Sequence, residues 1–191
     1  MPLTTAQLEG LVDTASRALQ GIQDECGRER RPDARVRFPR GFIRTVPALR
    51  ATLPRIGTRV QRSNACYLLM KLDVSRWMIV RTDLWGAPLS MIIKDGIFVI
   101  GSLCEWMTKE ALRGHGAANR FTTKTAKLVE LEVINEELKQ ELDWVWGIRC
   151  AAHFGEVTSL EHELYTRPSW DRAILAGRAL RDRLIAIHGP A

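Results

Sequence analysis

Between Leu89 and Leu112 the chain reads "LSMIIKDGIFVIGSLCEWMTKEAL", a segment of helical length that is apolar on most faces. A helix with apolar residues all round is stable only when other elements cover it, so this segment predicts the central member of a helical bundle. Lys94, Asp95 and Glu105 interrupt it. That argues for a buried core helix and against a membrane span. Gly96 and Gly101 weaken the helix but allow a neighbour to come close. The preceding "DLWGAP" is a break, with Pro88 at a first-turn position.

The other long segments have the same period. Leu8, Leu11, Val12, Ala15 and Leu19 recur at three-to-four spacing, which predicts a first helix capped by Thr4 or Thr5 and running to about Gln20. From Thr58 to Thr82 the apolar positions are Val60, Ala65, Leu68, Leu69, Leu72, Trp77 and Val80, with a bend expected at Asp73 and Ser75. Thr122 or Thr123 opens a third long helix. Its stripe is Leu128, Leu131, Ile134 (or Val133), Leu138, Leu142 and Val145, and it is expected to run on through Arg149. Ser159 caps a short turn to Leu164. Pro168 and Ser169 start a last helix whose apolar side is Trp170, Ile174, Leu175, Ala179, Leu180, Leu184 and Ile187. No alternating run reaches strand length, and no internal repeat is evident. The expectation is an all-α, antiparallel helical bundle of about four main helices. It comprises a bundle domain over 58–191, preceded over 1–57 by an N-terminal helix and an Arg/Pro-rich irregular arm.

That arm holds Pro32, Pro39, Pro47 and Pro54, a density that excludes a long regular helix and leaves short turns, as around Thr45 to Thr52. It also carries the charge. Eleven arginines stand between Arg28 and Arg62 against only Glu29 and Asp33, leaving +9 in this window; the whole chain is +6, so the remainder is −3. Two readings are open. One is an anionic partner such as nucleic acid, with Arg35, Arg37, Arg40 and Arg44 as candidate phosphate contacts. The other is an Arg-biased composition that pairs with the chain's own acidic remainder.

The four cysteines lie far apart, with no CxxC and no Cys/His pair at metal spacing. Free thiols in a reducing cytoplasm are expected, with no metal and no cofactor. "MPLTTAQLEGLVDTASRALQ" has acids and no apolar signal core, so a cytoplasmic protein without membrane attachment is expected. Adjacent residues on a helix point apart, which makes "EHE" (161–163) a poor ligand set. "RGHGAANR", with His115, reads as a turn.

The remaining feature is "DWVWGIRCAAHFGEV". Arg149 and His153 stand four apart, on one helical face, among small and apolar residues. Histidine titrates near neutrality and serves as acid or base; arginine is a fixed cation that holds a phosphate. Together they suit metal-free cleavage of RNA, whose 2′-hydroxyl lies beside its own phosphodiester. Two structural alternatives stand beside this. His153 is a satisfied, half-buried histidine, and Arg149 pairs with Asp143 or Glu156. Trp106, Trp144 and Trp146 are either base-stacking platforms or core.

An Arg and a His near the end of a long helix in a small bundle resemble the HEPN superfamily (higher eukaryotes and prokaryotes nucleotide-binding), over roughly 58–188. The usual pattern separates the two by four to six residues, often with Asn first. Here three intervene, and Cys150 stands first. The resemblance implies a metal-independent endoribonuclease of a toxin or anti-phage defence type, with Arg149 and His153 catalytic. It also implies a homodimer, whose partners would be RNA and a protein such as an antitoxin. Glu105 and Lys109, one turn apart on the central helix, are expected accessory groups. The alternative is a non-catalytic helical adaptor or inhibitor that docks through the Arg-rich arm on nucleic acid or an acidic protein.

Overall fold

The computed structural model describes residues 1–116, 119–151 and 160–191. It is all-α. Among the described residues there are eight α-helices, a short 3-10 turn at Pro32–Ala34 and no strand. The chain divides into two compact units, Met1–Arg40 and Gly41–Ala191.

The first unit is built on α1 (Thr5–Cys26). Thr4 caps it in a reciprocal box: its hydroxyl accepts from the Gln7 amide, and its own amide donates to Gln7 Oε1 at 2.9 Å. The helix outruns the expected end at Gln20 and stops at Gly27, whose φ of 54° suits glycine. No residue of α1 is buried, and Leu8, Leu11, Val12 and Leu19 are exposed. The rest of the unit is irregular, as the prolines dictate.

The second unit starts at Gly41 rather than at 58. The short helix α2 (Val46–Arg50) and the segment after it contribute Leu49, Leu53 and Ile56 to the core. Each such side chain, fully buried, stabilises by about 1.5–3 kcal/mol. The unit continues with α3 (Arg59–Arg81), α4 (Gly86–Ala111), α5 (Phe121–Glu130), α6 (Glu136–Cys150), α7 (Glu161–Leu164) and α8 (Arg167–His188). Helix α4 packs against α3, α5, α6, α7 and α8, the central position its sequence predicts. Its most apolar window has a mean hydropathy of 1.5, long and apolar enough to cross a membrane, and half of that window is buried inside the bundle. The two glycines act as close-approach points. A Cβ on Gly96 would lie 2.0 Å from the Trp170 ring, and one on Gly101 would lie 2.7 Å from Arg149 Cδ.

Several expectations need correction. Helix α3 is unbroken at Asp73 and Ser75. Asp73 is buried and turned toward Arg44, and Ser75 bonds back to the Lys71 carbonyl. The third long helix is two helices. After Glu130 the Val133 amide reaches back to the Leu128 carbonyl and the Glu132 amide to Val129, a Schellman closure. Glu132 occupies the left-handed position at φ 56°, where glycine is usual. Arg183 of α8 steadies the turn by donating to the carbonyls of Glu132 and Val133 at 3.1 and 2.7 Å. Asn135 then caps α6, and Glu136 and Glu137 complement its first-turn dipole. On α8 the buried line is Trp170, Ala173, Ala176, Leu180 and Leu184, whereas Leu175, Ala179 and Ile187 are exposed.

Candidate functional site

Arg149 lies in the last turn of α6, and Glu105 lies in the second half of α4. Gly101, one turn before Glu105, has no side chain, so the Arg149 aliphatic stem passes directly over the α4 backbone. Its guanidinium Nη1 donates to Glu105 Oε2 at 3.0 Å. Its Cζ stands 4.6 Å from the centre of the Trp146 ring, a cation–π contact. Trp146 in turn stacks on Phe121 of α5, with centroids 4.6 Å apart and planes 9° from parallel. Arg149 is therefore fixed from two sides, by a carboxylate and by an aromatic face. Its side chain is 22% exposed and that of Glu105 is 40%, so the pair lies at the edge of the core within reach of solvent.

Glu105 also borders an open basin of about 570 Å³ between the end of α4 and the start of α5. Lys109, Arg113 and Lys124 line it, together with Asn119 and Glu110. With Arg149 beside it, the basin region holds four cations and two carboxylates. Lys109, one turn beyond Glu105, is exposed and forms no ion pair among the described residues. An anion entering here meets free ammonium donors, and the low-lying carboxylates keep the arginines in place. The arrangement is suited to holding a phosphate.

Glu110 is a residue that sequence reasoning missed. Its side chain is only 2% exposed; Gln61 Nε2 donates to its Oε1 at 2.8 Å, and the Arg113 guanidinium comes within 2.6 Å of Oε2. A glutamate on the covered side of a very apolar helix was the available signal, because a buried carboxylate requires partners.

The other expected residues separate. Asp143, a suggested partner for Arg149, is taken instead by Thr125 at 2.6 Å and Lys139 at 3.2 Å. Trp144 carries Arg172 over its ring at 4.0 Å, and Trp144, Trp146 and Trp106 all pack against the core. Arg35, Arg37 and Arg40 are exposed in the first unit, without an ion pair among the described residues. Arg44 is tied into the body: its guanidinium and its backbone amide both donate to the buried Asp73, with Nη2 at 2.7 Å and N at 3.0 Å. His115 lies in a plain turn, its amide bonded to the Leu112 carbonyl. His153, Glu156 and Ser159 lie outside the described residues. Among the described residues no three His, Cys, Asp or Glu side chains are grouped to hold a metal.

Two thiols are held in the neutral form. Burial pushes Cys104 up to about 12 and raises Cys66 above the usual thiol range, with Arg50 opposing the second shift. Both thiols are packing residues of the body.

Compared with family models, curated proteins and solved structures, the chain has no significant match to any of them.

Proposed function

We propose that this chain is a HEPN-like protein acting on RNA, a metal-independent endoribonuclease of the toxin or anti-phage defence kind. The observation that carries the reading is the meeting of Arg149 with Glu105 at the rim of a basin lined by Lys109, Arg113 and Lys124. In this reading the basin lysines seat the RNA backbone. Arg149, oriented by Glu105 and Trp146, turns its remaining donors to a non-bridging phosphoryl oxygen, where negative charge grows as the reaction proceeds. His153 moves the protons. The 2′-oxygen loses its proton and attacks phosphorus, and the bond to the 5′-oxygen breaks. The products are a 2′,3′-cyclic phosphate and a 5′-hydroxyl. A second protomer completes the cleft, and the exposed arginines 35, 37 and 40 add contacts to the RNA backbone.

The test uses wild type, Arg149→Ala and His153→Ala incubated with single-stranded RNA in EDTA. Loss of about two orders of magnitude in cleavage rate in each variant supports the reading. Cleavage that is absent from all three, or equal in all three, overturns it. A specific observation favours the adaptor reading as second: Arg149 is already neutralised by Glu105 at 3.0 Å. An adaptor that binds RNA shows salt-dependent affinity with no cleavage.

A further inference from the structure

We infer that the body binds a single-chain aliphatic carboxylate in the cavity enclosed by α3, α4 and α8. This site is independent of the RNA reading and shares no residue with the basin at Glu105. The cavity has a volume of about 90 Å³ and partly opens to solvent. Its walls are aliphatic, including Leu72, Ile100, Leu103 and Ile174, and Trp170 closes one side. Gly177 brings α8 close to α4, because a Cβ there would lie 3.1 Å from Ile100 Cγ2. Protein interiors are close-packed, with few voids above the size of a water molecule. A void this large with apolar walls gives a water few partners, so it suits an apolar group instead.

The mouth has the opposite character. Arg76 of α3 and Arg178 of α8 both line it, both are exposed, and neither forms an ion pair or a side-chain hydrogen bond among the described residues. The other two arginines there are already engaged, Arg44 by Asp73 and Arg181 by Asp182. Two unpaired guanidinium groups above an apolar pocket call for one molecule with an anionic end and an apolar end. Guanidinium forks match carboxylate geometry in particular. A short aliphatic tail fills the void and the carboxylate spans the two arginines.

Calorimetric titration of the full chain with pentanoate, pentanol and acetate tests this. Pentanoate is expected to bind at least tenfold more tightly than either pentanol, which lacks the charge, or acetate, which lacks the tail. In the Arg76→Gln/Arg178→Gln variant, pentanoate binding weakens at least tenfold and pentanol binding is unchanged. Both residues are exposed and unpartnered, so the variant keeps its fold, as circular dichroism will check. Equal binding of pentanoate and pentanol, no binding of pentanoate, or unaltered pentanoate binding by the variant overturns the proposal.

Discussion

One run of arginines has two fates. The six between Arg28 and Arg40 belong to the first unit; apart from Arg31, which pairs with Asp33 and lies near Glu25, they form no ion pair among the described residues. The five between Arg44 and Arg62 belong to the body, and four of them are built into it. Arg44 clamps Asp73, Arg50 donates to Ser63, Arg55 donates to the Pro190 carbonyl, and Arg62 donates to the carbonyls of Ile56 and Gly57. The difference shows that a count of charge along a sequence does not measure charge available to a partner. A guanidinium that already satisfies a buried carboxylate or a turn carbonyl is part of the frame.

The largest consequence of this division falls on Arg44. Removing it leaves Asp73, 8% exposed, as a buried carboxylate without its cation. Arg44→Ala is expected to lower stability by about 2–3 kcal/mol, less than for a fully buried pair because Arg44 itself is half exposed. The shift in urea midpoint measures it, and Asp73→Asn added to Arg44→Ala recovers part of the loss by removing the buried charge. A change within about 0.5 kcal/mol, as for an ordinary surface position, breaks the comparison.

The converse variant, Arg35→Gln/Arg37→Gln/Arg40→Gln, is expected to leave the urea midpoint almost unmoved. Its effect appears in RNA binding: the slope of log affinity against log salt becomes shallower by about 2, near 0.7 per lost contact to a single strand. An unchanged slope removes these arginines from the interface.

The smallest effect concerns the thiols. In the native protein at pH 8, Cys26 and Cys150, each only half-buried, are expected to react with a disulfide reagent, whereas Cys66 and Cys104 wait for unfolding. The sign of the pH dependence follows. An unfolded Cys104 ionises near 9.0 and the folded one only at about 12, so ionisation favours the unfolded chain and stability declines as pH rises from 9 toward 12. Rapid labelling of Cys104 in the native state would mean that the body opens far more readily than its packing implies.

The all-α class was legible because three-to-four spacing persists over long stretches, and the central place of α4 was legible because it is apolar on most sides. The start of the body was not. Leu49, Leu53 and Ile56 are scattered among prolines and make no periodic stripe, yet all three are buried. The break between α5 and α6 was hidden because Glu132 stands where a glycine would have announced it; only Asn135 followed by two glutamates marked the new start. Of the candidate site, spacing on α4 drew attention to Glu105 and Lys109, and both border the basin. Glu110 was missed because its meaning depends on Gln61 and Arg113, which reach it only in three dimensions.

The segment around Pro54 is tied to residues far along the chain: the Arg55 amide bonds the Gly189 carbonyl and the Ala191 amide bonds the Leu53 carbonyl, across the Pro54–Pro190 bridge. Such contacts close a very long loop, and loop closure slows the step that makes them. During synthesis α2 can dock on α3, and α3 on α4, as soon as each pair has emerged, but Leu53 to Arg55 gain their backbone partners only when residues 189–191 have been made. The contacts at Pro190 therefore form late, and weakening them should speed unfolding far more than it slows folding.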